Sequence, residues 1–190
     1  MTIQQLATNY PDILTLLVTD KAGMITAAHP AEMLAAITSQ STAYVSVADR
    51  PYFYQVKANK QPFVSDVFQG RGFGNDPIVA LSVPKNRAGS FTGILEASLN
   101  LKRLANLDRK KIHHSQQLLI LDSESRIIFS SEELGFDFLQ DMSEEPVLRH
   151  LKDRGNYYFV TANGEYCMAE RSFIEGSNWQ VISLLPRTIY

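Results

Sequence analysis

The side chains able to do chemistry crowd into one part of the chain: Tyr44, Arg50, Tyr52, Phe53 and Tyr54, then Asp66, Phe68 and Asp76, with Ser82 and Ser98 beyond. This is the equipment of a binding pocket. A guanidinium holds a carboxylate through two parallel, charge-assisted hydrogen bonds. Tyrosines supply hydroxyls and ring faces, an aspartate (Asp66 or Asp76) can meet an ammonium, and small serines on neighbouring strands leave room. Asp49 precedes Arg50 and Pro51, and this spacing predicts a helix over 50–59, capped by Asp49 with Pro51 in its first turn. On that helix Arg50, Phe53, Tyr54 and Lys57 lie three or four residues apart and share a face, a candidate pocket wall. The same spacing also suits a plain amphipathic helix, packed on a sheet by Phe53 and with Arg50 paired to a surface carboxylate. Spacing alone leaves both open.

Catalysis finds no support. There is no Gly-x-Ser-x-Gly elbow, and none of His29, His113, His114 and His150 sits in a motif that places it beside a nucleophile. The run from Gly70 through Arg71, Gly72 and Phe73 to Gly74 lacks the Gly-Lys-Ser/Thr ending of a phosphate loop. It leads through Asp76-Pro77 into a strand where such a loop needs a helix start. A hairpin loop covering the pocket is expected instead. Glu132-Glu133 and Glu144-Glu145 fall at predicted helix starts, where carboxylates favour the dipole.

Cys167 is the only cysteine, so no intrachain disulfide forms, and no Cys/His set has zinc spacing; neither metal nor cofactor is expected. His113-His114 reads as a solvated linker. The net charge of −2, without a long basic run, argues against nucleic acid as a partner. No apolar run approaches the roughly twenty residues of a membrane span, and the start lacks a signal-peptide pattern.

The elements that position these residues follow from the apolar pattern. Residues 13–19 are apolar and β-branched, Asp20 to Gly23 supply a turn, and 24–28 resume the pattern, which makes a hairpin. A short helix over 31–38 and the helix over 50–59 lead to strands over 62–68, 78–84 and 91–99, the last two joined by a loop over 85–90. The second half repeats this order around Asp122: strand, Asp-led turn and strand over 117–130. Helical patterns follow over 132–140 and 145–152, then strands over 156–161, 165–172 and 179–185, with turns at 162–164 and 175–177.

The fold class is therefore α+β, with two antiparallel-sheet domains in tandem over 1–107 and 108–190, and a charged, helical seam near 101–116. In the second half Tyr157, Tyr158, Tyr166, Arg171 and Trp179 fall mostly at period two and read as alternating sheet faces.

The run Val47-Ala-Asp-Arg-Pro-Tyr-Phe53, with Phe63 to Phe68, Pro77 to Pro84 and Gly93 to Leu101, resembles the double Cache (dCache_1) family over nearly the whole chain. Those are extracytoplasmic sensor domains of bacterial histidine kinases, GGDEF diguanylate cyclases and chemoreceptors. The resemblance implies two PAS-like domains joined to an N-terminal helix largely absent from this chain. It also implies flanking membrane helices, a periplasmic location and a membrane-anchored, homodimeric full-length protein. The membrane-distal half would bind a small molecule, such as a carboxylate, amino acid or similar polar metabolite, and the proximal half would relay it.

In the amino-acid-binding branch the arginine is followed two and three places later by Trp and Tyr, and an aspartate lies in the last strand of the distal domain. Here Tyr52 and Phe53 follow Arg50, and that strand reads Glu96-Ala97-Ser98. Only the arginine is kept, so a small carboxylate or another polar metabolite fits at least as well as an α-amino acid. The rival reading is a soluble, non-catalytic interaction domain with no small-molecule ligand.

Overall fold

Helix α1 (Ile3–Asn9) starts at a capping box in which Thr2 and Gln5 exchange side-chain to backbone hydrogen bonds. This computed structural model describes residues 2–40, 45–71, 74–110, 115–151, 155–161 and 164–187. After α1 come strands β1 (Ile13–Thr19) and β2 (Ile25–His29), helices α2 (Ala31–Gln40) and α3 (Pro51–Asn59), and strands β3 (Phe63–Val64), β4 (Phe68–Gln69), β5 (Pro77–Arg87) and β6 (Ser90–Asn100). A 3-10 helix over Leu101–Lys110, within the expected seam, precedes β7 (Gln117–Leu121) and β8 (Ile127–Ser130). Helix α4 (Pro146–His150) and strands β9 (Asn156–Val160), β10 (Tyr166–Phe173) and β11 (Gln180–Arg187) follow.

Two aspartates begin the two sheets in the same way. Asp20 Oδ1 accepts from the backbone N–H groups of Ala22 at 2.8 Å and Met24 at 2.9 Å. Asp122 Oδ1 accepts from Glu124 at 2.9 Å and Arg126 at 2.8 Å. Each carboxylate folds the chain back between two antiparallel strands, β1 with β2 and β7 with β8. The first sheet then runs β2-β1-β6-β5-β3, with β4 also on β5, and the second runs β8-β7-β11-β10-β9. With β3 and β4 counted as one interrupted strand, both orders are the same. By its contacts the chain forms two compact units, Met1–Asn100 and Leu101–Tyr190.

Each unit has its own core. In the first, Tyr52, Phe53 and Val56 of α3 pack on Leu17, Ile25, Ala80 and Ile94 of the sheet. In the second, Leu148 and Leu151 pack with Leu119, Leu121, Ala169 and Ile182. Gly93 is dictated by packing: its φ is +144°, and a Cβ there would lie 2.0 Å from the Thr19 carbonyl oxygen. The contact is completed by the Thr19 hydroxyl, which accepts from the Ile94 N–H at 3.0 Å.

Three elements differ from expectation. The strand expected over 62–68 is broken, because the Ser65 hydroxyl accepts from the Ala80 N–H at 2.9 Å while donating to the Asp66 carbonyl at 2.7 Å. A side chain thus stands in for a ladder carbonyl, and β3 and β4 separate. The expected 85–90 loop is instead a two-residue turn, since Ala88 and Gly89 both take positive φ, 48° and 77°. That turn matches the strand twist and lengthens both strands. The helix expected over 132–140 is only a 3-10 turn, Glu132–Leu134, ended by Gly135 at φ 67°. The expected turn at 162–164 falls partly outside the described residues.

Candidate functional site

Strand alternation places Thr15 and Leu17 of β1 on the same face as Ser98 and Glu96 of β6, their register partners. Above this floor lie Met33 of α2, Ser46 and Val47, and Arg50 and Tyr52 at the start of α3. Gly70, Arg71, Gly74 and Asp76, from the loop after β4, also line the space. With Leu14, Ile25, Phe68 and Ile78 they surround a cavity of ≈ 210 Å³. A cavity of about 150 Å³ takes benzene, so this one suits a small metabolite.

The expected Asp49 cap is not formed. Arg50 occupies the N-cap position of α3 and makes no side-chain cap bond. Asp49 instead accepts from both terminal nitrogens of Arg71, at 2.9 and 3.0 Å. Helix α3 begins one residue too late for Asp49 to stand at its N-cap, and Pro51 leaves no N–H of its own to satisfy. Those hydrogen bonds hold the Asp49 carboxyl below its ordinary pKa. They also tie the loop after β4 to the residue beside Arg50. The Arg50 guanidinium lies 5.4 Å from the centre of the Phe68 ring, and Phe68 stacks on Tyr52 at 5.9 Å and 24°. Cation, phenyl and phenol form one layered wall. Among the described residues the Arg50 guanidinium has no carboxylate partner.

Glu96, absent from the expected site residues, sits on the floor. It is only 1% exposed. The Ser98 hydroxyl donates to Oε1 at 2.8 Å, and Oε2 has no hydrogen-bond partner among the described residues. Burial away from any cation pushes its pKa up to about 8, against a smaller opposing effect of the Ser98 bond. The Tyr52 phenol is raised too, by burial first and then by the Glu96 charge. The sequence carried a signal for Glu96: it alternates with Ile94 and Ser98, so a carboxylate falls on an apolar strand face.

Of the expected residues, Arg50, Tyr52, Phe68, Asp76 and Ser98 line the cavity. Phe53 does not: it is 1% exposed in the core, edge-on to Phe91 at 6.5 Å, with the Lys57 ammonium 5.6 Å from its ring centre. Tyr54 is 46% exposed, because the helical step turns the residue after Phe53 away from the sheet. The shared face expected for Arg50, Phe53, Tyr54 and Lys57 is therefore not the pocket wall.

Asp66 lies in the break between β3 and β4, outside the cavity lining. Ser82 is buried opposite Glu96 in the β5–β6 register, below the lining, and its hydroxyl has no partner among the described residues. Tyr44, Gly72, Phe73, His113 and His114 lie outside the described residues. No group of three His, Cys, Asp or Glu able to hold a metal occurs among the described residues. The second unit has a cavity of ≈ 170 Å³, lined mainly by apolar side chains such as Leu119, Phe136 and Ile182, with no arginine or tyrosine among the described residues.

The Cache domain family dCache_1 matches the chain over residues 2–190. The chain belongs to this family. Its two antiparallel sheets with few helices are the α+β Cache fold. Among solved structures, the extracellular domain of the putative histidine kinase rpHK1S-Z16 is similar at TM-score 0.71 and 17% identity, covering 97% of this chain and 75% of that one. The ligand-binding domain of the Pseudomonas fluorescens chemoreceptor CtaA, solved with L-serine, gives TM-score 0.72 and 11% identity, covering 96% and 76%. That of the Pseudomonas aeruginosa amino acid chemoreceptor PctC, solved with GABA, gives 0.67 and 16%, covering 94% and 76%. No curated protein matches the chain. Cache ligand-binding domains are non-catalytic sensor modules. No described helix is long and apolar enough to cross a membrane.

Proposed function

We propose that this Cache domain is the periplasmic ligand-sensing part of a bacterial transmembrane signalling protein, a histidine kinase or a GGDEF diguanylate cyclase. In this reading residues 1–107 form the membrane-distal domain, which binds a small polar metabolite bearing an anionic or strongly accepting group. Residues 108–190 form the proximal domain, which relays occupancy to the membrane in a homodimer. The observation that carries the reading is the cavity below Arg50: a guanidinium stacked on Phe68, phenol beside it, polar groups on the floor. Such a cation in a partly dry pocket holds a planar carboxylate at two points. Among the described residues the second unit's cavity is lined by no cation of that kind.

A thermal-shift screen of carboxylates, amino acids and amines tests it. A ligand at about a hundred times its dissociation constant stabilises the fold by roughly 2.7 kcal/mol. In a domain of this size each kcal/mol raises the melting temperature by about 2–4 °C. Arg50→Ala is expected to remove most of that rise while the unliganded protein still folds, because Tyr52, Phe53 and Val56 keep α3 on the sheet. Arg149→Ala, an exposed residue of α4 paired with Glu144, is expected to leave the response intact. Equal shifts in wild type and Arg50→Ala mean that Arg50 is structural.

A further inference from the structure

Two polar groups on the first sheet end without partners. Glu96 Oε2 and the Ser82 hydroxyl are both buried, neither has a hydrogen-bond partner among the described residues, and the two residues stand opposite each other on β6 and β5. Glu96 also lines the cavity, so its carboxyl group stands in the floor beneath the space a ligand enters. Buried polar groups are almost always satisfied, and a buried carboxylate with one hydrogen bond and no cation is among the costliest arrangements a fold can hold.

Among the described residues the surroundings supply no counter-charge. From β1 the facing residues are Thr15 and Leu17, and from β5 Ser82, none of them titratable in this range. From α3 come Tyr52, itself held neutral by burial, and Arg50, whose guanidinium lies over Phe68. From the loop after β4 come Arg71, bound to Asp49, and Asp76, which carries the same sign as an ionised Glu96. Only burial and the Ser98 hydrogen bond act on the acid, and burial wins. Burial thus favours the protonated acid on the floor, with Oε1 accepting from Ser98 and Oε2 without a partner among the described residues.

We propose that Glu96 is the second anchor of the ligand and engages it as a neutral acid, donating Oε2–H to an acceptor oxygen. The cavity then selects a small carboxylate that carries no ammonium, of the hydroxy-acid or keto-acid class. The ligand carboxylate lies on Arg50, and the hydroxyl or carbonyl oxygen meets Glu96. This specificity rests on the ligand site proposed at Arg50.

Matched probes decide it: lactate, pyruvate and alanine, and α-hydroxyisovalerate, α-ketoisovalerate and valine, titrated calorimetrically into the whole chain at about pH 6 and about pH 9. A hydroxy or keto acid is expected to bind at least about tenfold more tightly than the amino acid of the same skeleton, and to weaken by about tenfold on going to the higher pH. Glu96→Gln keeps both the Ser98 acceptor and an N–H donor. It is expected to bind within about threefold of wild type at the lower pH and to lose the pH dependence. An amino acid that binds best and is lost in Glu96→Gln overturns the proposal in favour of an ionised Glu96. The ligand class is overturned equally if no hydroxy or keto acid responds.

Infrared spectra of the unliganded wild type need no variant. The carbonyl stretch of a buried protonated carboxyl is expected at about pH 6 and is lost at higher pH; its absence at about pH 6 overturns the neutral acid. Failure of the Arg50 site is distinguishable. There, Arg50→Ala binds as wild type does, while the pH dependence and its loss in Glu96→Gln persist.

Discussion

A carboxyl buried without a cation also makes the fold itself sensitive to pH. Unfolded, Glu96 ionises near its ordinary value of 4.5; folded, it keeps its proton up to about 8. Between these values the folded chain binds the extra proton, so stability falls as pH rises, by at most about 1.4 kcal/mol per pH unit. Below that window the group contributes no pH dependence. Urea unfolding across the window is therefore expected to show wild type losing stability relative to Glu96→Gln, with a gap that widens towards the upper end. Parallel profiles would mean that the carboxyl is solvated and ionised in the folded state. Arg50 belongs to the same scale: its neighbours in space are the ring of Phe68 and the ion pair of Asp49 with Arg71, and they leave its charge without a carboxylate among the described residues.

At the scale of elements, the two Asp-led turns provide a matched experiment. Asp20 is partly exposed, whereas Asp122 is 0% exposed and also pairs with Arg126, whose Nε lies 2.9 Å from Oδ2. Asp20→Ala is expected to cost about 1 kcal/mol, the worth of a few solvated turn bonds. Asp122→Ala is expected to cost more, about 2–3 kcal/mol, because it removes the buried acceptor of two turn N–H groups and one of the two carboxylates on Arg126, which keeps Glu124. Equal shifts in urea midpoint would show that burial adds nothing to the second turn. Glycines in the β5–β6 hairpin form another pair. Gly89, at φ 77° and with open space around it, is expected to lose about 1 kcal/mol as alanine. The Gly93→Ala Cβ meets the Thr19 carbonyl, and since the atoms it meets are backbone that cannot swing aside, a loss on the order of 3 kcal/mol or more is expected in thermal unfolding.

The whole chain consists of two units that share a strand order and have separate cores. Val56 and Ile182 are fully buried, one in each core. Truncating Ile182 to alanine is expected to cost about 2–5 kcal/mol, and Val56→Ala towards the lower end of that range. Hydrogen exchange read strand by strand assigns the damage: Ile182→Ala is expected to accelerate β7 to β11, and Val56→Ala to accelerate β1 to β6. Acceleration of the same amides by both variants would mean a single cooperative unit.

Period-two alternation, the turns at Asp20 and Asp122 and the repeated order of elements were legible in the sequence, because each depends on residues a few places apart. They determined two α+β sheets, while the pocket at Arg50 and Tyr52 was read from helix spacing together with the family resemblance. Local patterns also misled: a hydroxyl at Ser65 replaced a carbonyl in the ladder, and adjacent Phe53 and Tyr54 could not both face the sheet. Only the tertiary structure decided that Asp49 would bind Arg71, 22 residues away, instead of capping α3. It alone set Glu96 opposite Leu17 and Ser82 with one oxygen unpartnered. The physical reason is that ion pairing and burial are settled between residues distant in sequence, after the strands have chosen their register, and no local pattern encodes which charge will be left without a partner.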